Sequence, residues 1–416
     1  MSTKKGRGGN KKRGGQRADA YDSEEGSCNE SVASNDTSDS TRSKTSRVSE
    51  DTTQEDLLER YLEELTEKRA TTRLAALQGL LNLLVHFVPP ELFHDKFDGI
   101  YNNVLQIARR PSEDEGRIIP RIFGIVGLML GPHSDEYFAK VESVLEPLVK
   151  SNIQSDIVRA QALEGLGVVC FTCSTGDEEN AQNIMGLCDP FFNNSATPVL
   201  AKLALETWGC LASTLDSTYL IEEGFLDTHL ALFLELTNNA DVDVRSAAGE
   251  NLALLFEAMH QNHIDNYEGA GDIASKLLEL SKESSKKFSK KDRKEQHSVF
   301  RDLYNTVANQ EPPNVSFGLE NETLRFHDWG SIMQYNAIKE CLQSGMLEHL
   351  KFNNHVRQLF DLPHTAEVYS RVEKRATKSK TSGSRKQQSA FLKDERKRRQ
   401  GEKNTFLEGG GHDGDY

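Results

Sequence analysis

Leu57, Leu58, Tyr61, Leu62 and Leu65 recur at spacings of three and four, and so do Leu74, Leu77, Leu80, Leu81 and Leu84. Such spacing puts each set on one stripe of a helix, leaving the positions between them polar and free to face water. A break at Thr71 and Thr72 divides the two sets, so the pattern predicts a pair of antiparallel helices. Thr52-Thr53-Gln54-Glu55 fits a capping box at the start of the first: the Thr52 hydroxyl accepts from the amide three residues on, and Glu55 reaches back.

The unit then repeats. R-L-A-A-L-Q-G-L from Arg73, R-A-Q-A-L-E-G-L from Arg159 and R-S-A-A-G-E-N-L from Arg245 share an Arg, an Ala three later and a Leu seven later. A-K-L-A-L-E-T-W from Ala201 keeps Ala204 and Leu205 without the Arg, and a degenerate copy lies around Ile119 to Val126. Taking Leu77, Phe123, Leu163, Leu205 and Gly249 as equivalent gives separations of 46, 40, 42 and 44 residues. These fall within the period of roughly 40 to 47 typical of HEAT and armadillo repeats. The expected fold is therefore all-α, a HEAT/armadillo-like α-solenoid over residues 52–280. Ala162 and Ala248 let neighbouring helix backbones approach. Asp156 with Arg159, and Asp243 with Arg245, sit where an acid caps a helix and an Arg ties down nearby carbonyls. A position that recurs through several copies has a structural role, which is the role expected of these arginines.

Beyond the repeats, S-K-E-S-S-K-K-F-S-K-K-D-R-K-E interrupts the periodicity and reads as a Lys-rich loop over 281–296 or the end of a long helix. Val315 to Phe317 and Thr323 to Phe326, parted by Gly318 and Asn321, predict a short β-hairpin. Helices return at Asp328 to Leu342, Gly345 to Phe352 and His355 to Phe360, ended by Pro363. Their apolar faces are expected to close the C-terminal end of the solenoid over 297–363. Residues 1–51 hold few large apolar side chains: a glycine-rich basic stretch, then a serine-rich acidic one. They cannot bury enough surface to offset the entropy of ordering, so a disordered N-terminal tail is expected. Residues 364–416 are read as a basic C-terminal tail with a helix.

Charge sharpens this division. The whole chain carries −14, yet between Arg371 and Lys403 there are 13 Lys or Arg against 4 Asp or Glu, a local +9. Lys4 to Arg17 adds seven positive charges and no acid, which leaves −30 on everything else. An acidic scaffold is repelled by nucleic acid, whereas a concentrated cationic tail gains from counterion release on phosphate. The tail is where a polyanion would dock. The candidate contacts are Arg385, Lys386, Phe391, Lys393, Arg396, Lys397, Arg398 and Arg399, with Phe391 placed to stack on or wedge against bases. The glycine-rich start, K-K-G-R-G-G-N-K-K-R-G-G-Q-R, is of the kind that contacts nucleic acid or directs nuclear import, or it simply aids solubility.

Six cysteines are dispersed through a chain with no apolar leader, so free thiols in a reducing compartment are expected. The longest apolar run, Ile122 to Leu130, is far short of the roughly 20 residues that span a bilayer, and a soluble protein without membrane contact is expected. Cys170-Phe-Thr-Cys173 has no second pair to complete a zinc site, and His260 with His263 lack the H-E-x-x-H spacing. Gly124, Gly127 and Gly131 form neither a dinucleotide nor a phosphate loop, and no G-x-S-x-G elbow is present. No enzyme activity, cofactor, metal or small-molecule substrate is expected.

The run H-D-W-G-S-I-M-Q-Y-N-A-I-K-E-C-L-Q-S-G-M-L-E-H-L-K-F-N-N-H-V-R-Q-L-F-D-L, from His327 to Leu362, resembles the conserved block of the interferon-related developmental regulator family. The matching residues are Trp329, Tyr335, Ala337, Lys339, Glu340, Leu342, Ser344, Gly345, His349, Leu350, Arg357, Phe360 and Leu362. The tail S-A-F-L-K-D-E-R-K-R-R from Ser389 is similar to that family's closing basic helix. The resemblance implies an α-helical repeat protein without catalysis, in one of two roles. One is a ribosome-binding factor whose basic C-terminal helix enters the tRNA and mRNA path of inactive ribosomes. The other is a nuclear transcriptional co-regulator that recruits deacetylase-containing corepressors. Two departures from the family pattern, Asp394 and Glu395 within the basic run and the ending E-G-G-G-H-D-G-D-Y, weaken phosphate attraction. The first role makes rRNA and ribosomal proteins the partners of a cytoplasmic protein with nuclear shuttling; the second makes corepressor proteins the partners and the basic runs import signals.

Overall fold

The structure is a computed structural model that describes residues 53–174, 176–264, 267–282, 290–319 and 322–364. The expected N-terminal tail and everything after His364 lie outside those residues, as do 283–289 of the Lys-rich stretch. In order, the chain forms α1 (Gln54–Leu65), α2 (Ala70–Val85), α3 (Pro90–Ala108), α4 (Glu113–Leu130), α5 (Asp135–Lys150), α6 (Asp156–Cys173), α7 (Glu178–Cys188), α8 (Pro198–Ala212) and the single turn α9 (Ser217–Leu220). There follow α10 (Phe225–Leu236), α11 (Val242–Gln261), α12 (Ala270–Lys282), α13 (Lys290–Asn309), β1 (Val315–Gly318), β2 (Thr323–Phe326), α14 (Trp329–Leu342), α15 (Met346–Phe352) and α16 (Asn354–Leu359).

Helices pair as α1 with α2, α3 with α4, and so on to α12 with α13, and the second members α2, α4, α6, α8, α11 and α13 each pack on the next. This inner column is more closely stacked than the outer one. The result is an all-α solenoid of helical repeats. The five equivalent sequence positions fall on five consecutive inner helices, with Leu77, Phe123, Leu163 and Leu205 buried at the seam.

Local chemistry sets the helix ends. The capping box at α1 forms one residue later than the sequence pattern placed it: Thr53, not Thr52, accepts from the Asp56 amide, and Asp56 accepts from the Thr53 amide. The first break also lies earlier, at Thr66 to Arg69, where the Thr66 hydroxyl donates to the Glu63 carbonyl; Thr71 and Thr72 belong to the first turn of α2. At α11 the cap is Asp241, which accepts from the amides of Asp243 and Val244, so Asp243 is not the capping acid. At α6 the cap position is held by Ser155, whose side chain makes no capping bond, with Asp156 one position inside, ion-paired to Arg159 at 3.0 Å. The recurring arginines tie the repeats together. Arg73 donates to the carbonyls of Glu67 and Lys68 and pairs with the buried Glu115 of the next inner helix, Arg159 donates to the Val149 carbonyl, and Arg245 donates to Gln296.

Of the stretch read as a Lys-rich loop or the end of a long helix, residues 281–282 end α12 and residues 290–296 begin α13, which extends the inner column to Asn309. The hairpin forms as an antiparallel pair with Val315 opposite Phe326 and Phe317 opposite Leu324. The C-terminal segment departs most from expectation: α14 does not stack on the last repeat but runs back across α11, α8, α6 and α4. Glycines on the inner column admit it. A Cβ on Gly209 would meet Met333 Sδ at 2.8 Å, and one on Gly124 would meet Cys341 Sγ at 2.9 Å. The chain then reaches α2, where a Cβ on Gly345 would lie 1.8 Å from the Val85 carbonyl oxygen. Periodicity shows that these helices have an apolar face but not which surface it meets. No described helix is long and apolar enough to cross a membrane.

Candidate interaction surfaces

The block from His327 to Leu362 is mainly an anchor. The Trp329 indole N–H donates to Thr306 Oγ1 at 2.9 Å, and its backbone N–H donates to Glu257, which therefore caps α14 from α11. Tyr335 stacks on Phe317 of the hairpin with ring centroids 4.6 Å apart and packs against Phe326 and Phe360. Arg121 of α4 donates to the Cys341 carbonyl at 2.6 Å, and Asn353 donates to the Leu128 carbonyl at 3.0 Å. Arg357 is only 3% exposed; it donates to the carbonyls of Leu350 and Pro363 and pairs with Glu322 at 2.7 Å. His349 is fully buried, and burial pushes its pKa down to about 4, so the ring is neutral in the fold. Of the motif residues, Lys339, Glu340 and Ser344 are exposed.

Where α14 leaves the inner column uncovered, a cleft of about 610 Å³ opens between α6, α8, α11, α13 and α14. Its carboxylates are Glu164, Glu206, Asp241, Asp243, Glu250 and Glu340, against Lys202 and Lys339. Glu164, Glu206 and Glu250 occupy one register, each following the equivalent residues Leu163, Leu205 and Gly249. They therefore form a ladder, one carboxylate per inner helix. Burial, and then repulsion from Glu206 and Glu340, raise Glu164 to about 7. Burial likewise raises Glu206 to about 7 against the pull of Lys202, and it raises Glu250, which Glu206 also repels, to about 8. Lys202 pairs with Glu206 at 3.4 Å; burial works against its charge, but Glu206, Glu340 and Asp243 outweigh it and hold its pKa above the ordinary lysine value. The cleft is an acidic groove with one lysine on its floor.

Among the described residues no group of three or more His, Cys, Asp or Glu is placed to hold a metal ion. Cys170 and Cys173 are buried free thiols, as are Cys188, Cys210 and Cys341, and burial holds Cys173 and Cys210 at about 12, where they are not nucleophiles at neutral pH. The tail residues Arg385, Lys386, Phe391, Lys393, Arg396, Lys397, Arg398 and Arg399 lie outside the described residues, so no geometry bears on them. The glutamate ladder was present in the repeat motifs as the residue after each equivalent position. Its register is carried by the glutamates alone, separate from the Arg, Ala and Leu that define the repeat.

Fold and surface together define a helical-repeat scaffold whose C-terminal segment is docked along its own inner column. The chain belongs to the interferon-related developmental regulator family, whose model matches residues 25–308; the Trp329 to Leu362 block lies C-terminal to that span. It is 28% identical to mouse interferon-related developmental regulator 2 over 336 residues, covering 76% of this chain and 75% of that one. Human interferon-related developmental regulator 1 is 27% identical over 334 residues, covering 76% and 73%. Among solved structures, a designed armadillo repeat protein covers 60% of this chain and 100% of its own, with 14% identity and a TM-score of 0.38.

Proposed function

We propose that this chain is a non-enzymatic, ribosome-binding regulator of translation, acting in the cytoplasm on inactive ribosomes. In this reading the helical-repeat scaffold meets basic ribosomal proteins, and the cationic C-terminal segment meets rRNA through Arg385, Lys386, Phe391, Lys393, Arg396, Lys397, Arg398 and Arg399. The observation that carries it is the separation of charge: +9 between Arg371 and Lys403 on a chain of net −14. A ribosome presents phosphate and cationic protein side by side, so both halves of such a molecule find complementary surfaces on it. No cofactor enters the reading, since binding and steric occupation are all that it requires.

The test is the salt dependence of binding to purified ribosomes. If phosphate contacts dominate, affinity falls steeply with added salt, by a slope of about 0.7 to 0.9 per phosphate neutralised. Reversing charge at Arg396, Lys397, Arg398 and Arg399 is expected to weaken binding and flatten that slope by roughly 3. Unchanged ribosome binding by the reversed variant, together with loss of nuclear accumulation, would favour the nuclear co-regulator reading, in which the same residues form an import signal.

A further inference from the structure

The acidic groove has an occupant that the same chain supplies. We propose that the cleft between α6, α8, α11 and α14 is the docking site of the chain's own cationic segment, residues 371–403, which rests there when it is not on nucleic acid.

Four observations support this. The groove sets six carboxyl groups against two lysines, and the ladder of Glu164, Glu206 and Glu250 distributes ionisable groups along its length, one per helix, instead of gathering them at a point. That spacing suits a row of Lys and Arg side chains, and it does not suit a single ion. The three glutamates are held well above the ordinary carboxylate range chiefly by burial, with repulsion from Glu340 on Glu164 and Glu206 and from Glu206 on Glu164 and Glu250, so a cation that joined them would favour their charged forms. The groove is also within reach. His364, the last described residue, lies near His355 of α16, and α16 packs against α4. Arg371 follows seven residues later and extends up to about 23 Å from it. Inner helices are spaced by roughly 8 to 10 Å, so a segment of this length is long enough to reach α6, the next inner helix after α4, and to continue across α8 and α11. Tethering gives the segment an effective concentration on the order of millimolar, which a free basic peptide would have to match.

The consequence rests on the ribosome-binding reading: groove and rRNA compete for one segment, and the scaffold lowers affinity for weak or non-specific RNA. The docking itself does not depend on that reading and is tested without ribosomes. The full-length chain would be treated with a zero-length carbodiimide, and the cross-linked monomer mapped by peptide mass spectrometry. The expected products join Lys386, Lys393, Lys397 or Lys403 to Glu164, Glu206 or Glu250. The triple variant Glu164→Gln, Glu206→Gln, Glu250→Gln removes the acceptors without removing volume, and the charge reversal at residues 396–399 leaves the scaffold untouched; each should reduce the remaining tail-to-groove links at least fivefold. In a second measurement, the triple variant should bind a single-stranded RNA oligonucleotide several-fold more tightly than the unaltered chain. Tail links that go to acids outside the groove, that occur only between two copies, or that do not form would overturn the proposal, as would an RNA affinity unmoved by the triple substitution. Links that form in a chain that never associates with ribosomes would uphold the docking and remove the translational reading.

Discussion

Glu164, Glu206 and Glu250 carry a pH signature whose sign follows from their position. Each pKa is raised in the fold above its unfolded value near 4.5, so each is stabilising to fold around at low pH and increasingly costly as pH rises through 5 to about 8. Substituting all three by Gln is expected to raise the melting temperature at pH 8 and leave it nearly unchanged at pH 4.5; thermal unfolding at the two values checks this. His349 works in the opposite direction. Its folded pKa of about 4 lies below the unfolded value near 6.5, so stability is intact above pH 6.5 and falls between there and 4 as the unfolded chain takes up the proton. Gly345 is constrained by backbone: the Val85 carbonyl lies 1.8 Å from where a Cβ would be. Gly345→Ala should cost about 3 kcal/mol by overpacking, while Gly186→Ala, which meets nothing within 4 Å, should be neutral or slightly stabilising. Denaturant titration of the two variants separates these outcomes. The recurring arginines were readable as structural residues because their position repeats. Gly345 was readable only as a member of a motif, since nothing in its neighbours reveals the distant carbonyl that requires it.

At the scale of elements, helix existence was legible and helix destination was not. Stripes of Leu, Ala and Val announced α1, α2, α6, α8 and α11, and the common spacing of the repeat motifs placed α2, α4, α6, α8 and α11 in one column. The path of α14 could not be read from any such spacing. It depends on contacts such as Arg121 with Cys341, 220 residues apart, and on glycines whose space is defined by a partner helix. The same holds for the acidic groove, which exists only because α14 covers part of the inner column and leaves the rest open. Arg357 fastens the end of this segment, and its removal would leave the Glu322 carboxylate and two carbonyls without their donor. Arg357→Leu is therefore expected to destabilise by about 3 to 5 kcal/mol and to raise amide exchange in α14 to α16 before the solenoid opens. Exchange rising uniformly over α2 to α13 instead would show that the segment is not a separate layer.

For the molecule as a whole, the acidic scaffold and the cationic segment ask to be explained together. The solenoid presents a long surface and buries the thiols of Cys170, Cys173, Cys188, Cys210 and Cys341; the segment after Pro363 carries the charge that phosphate attracts. Family membership agrees with the scaffold and leaves the partner to experiment. The most direct measurement is sucrose-gradient sedimentation of a cell lysate, with the intact chain compared against one ending at Pro363. The intact chain is expected to travel with 80S particles and to leave them in high salt, and the shortened chain to stay at the top of the gradient. An intact chain that remains at the top under low-salt conditions, or a shortened chain that sediments with the ribosomes just as well, would contradict the ribosome-binding reading.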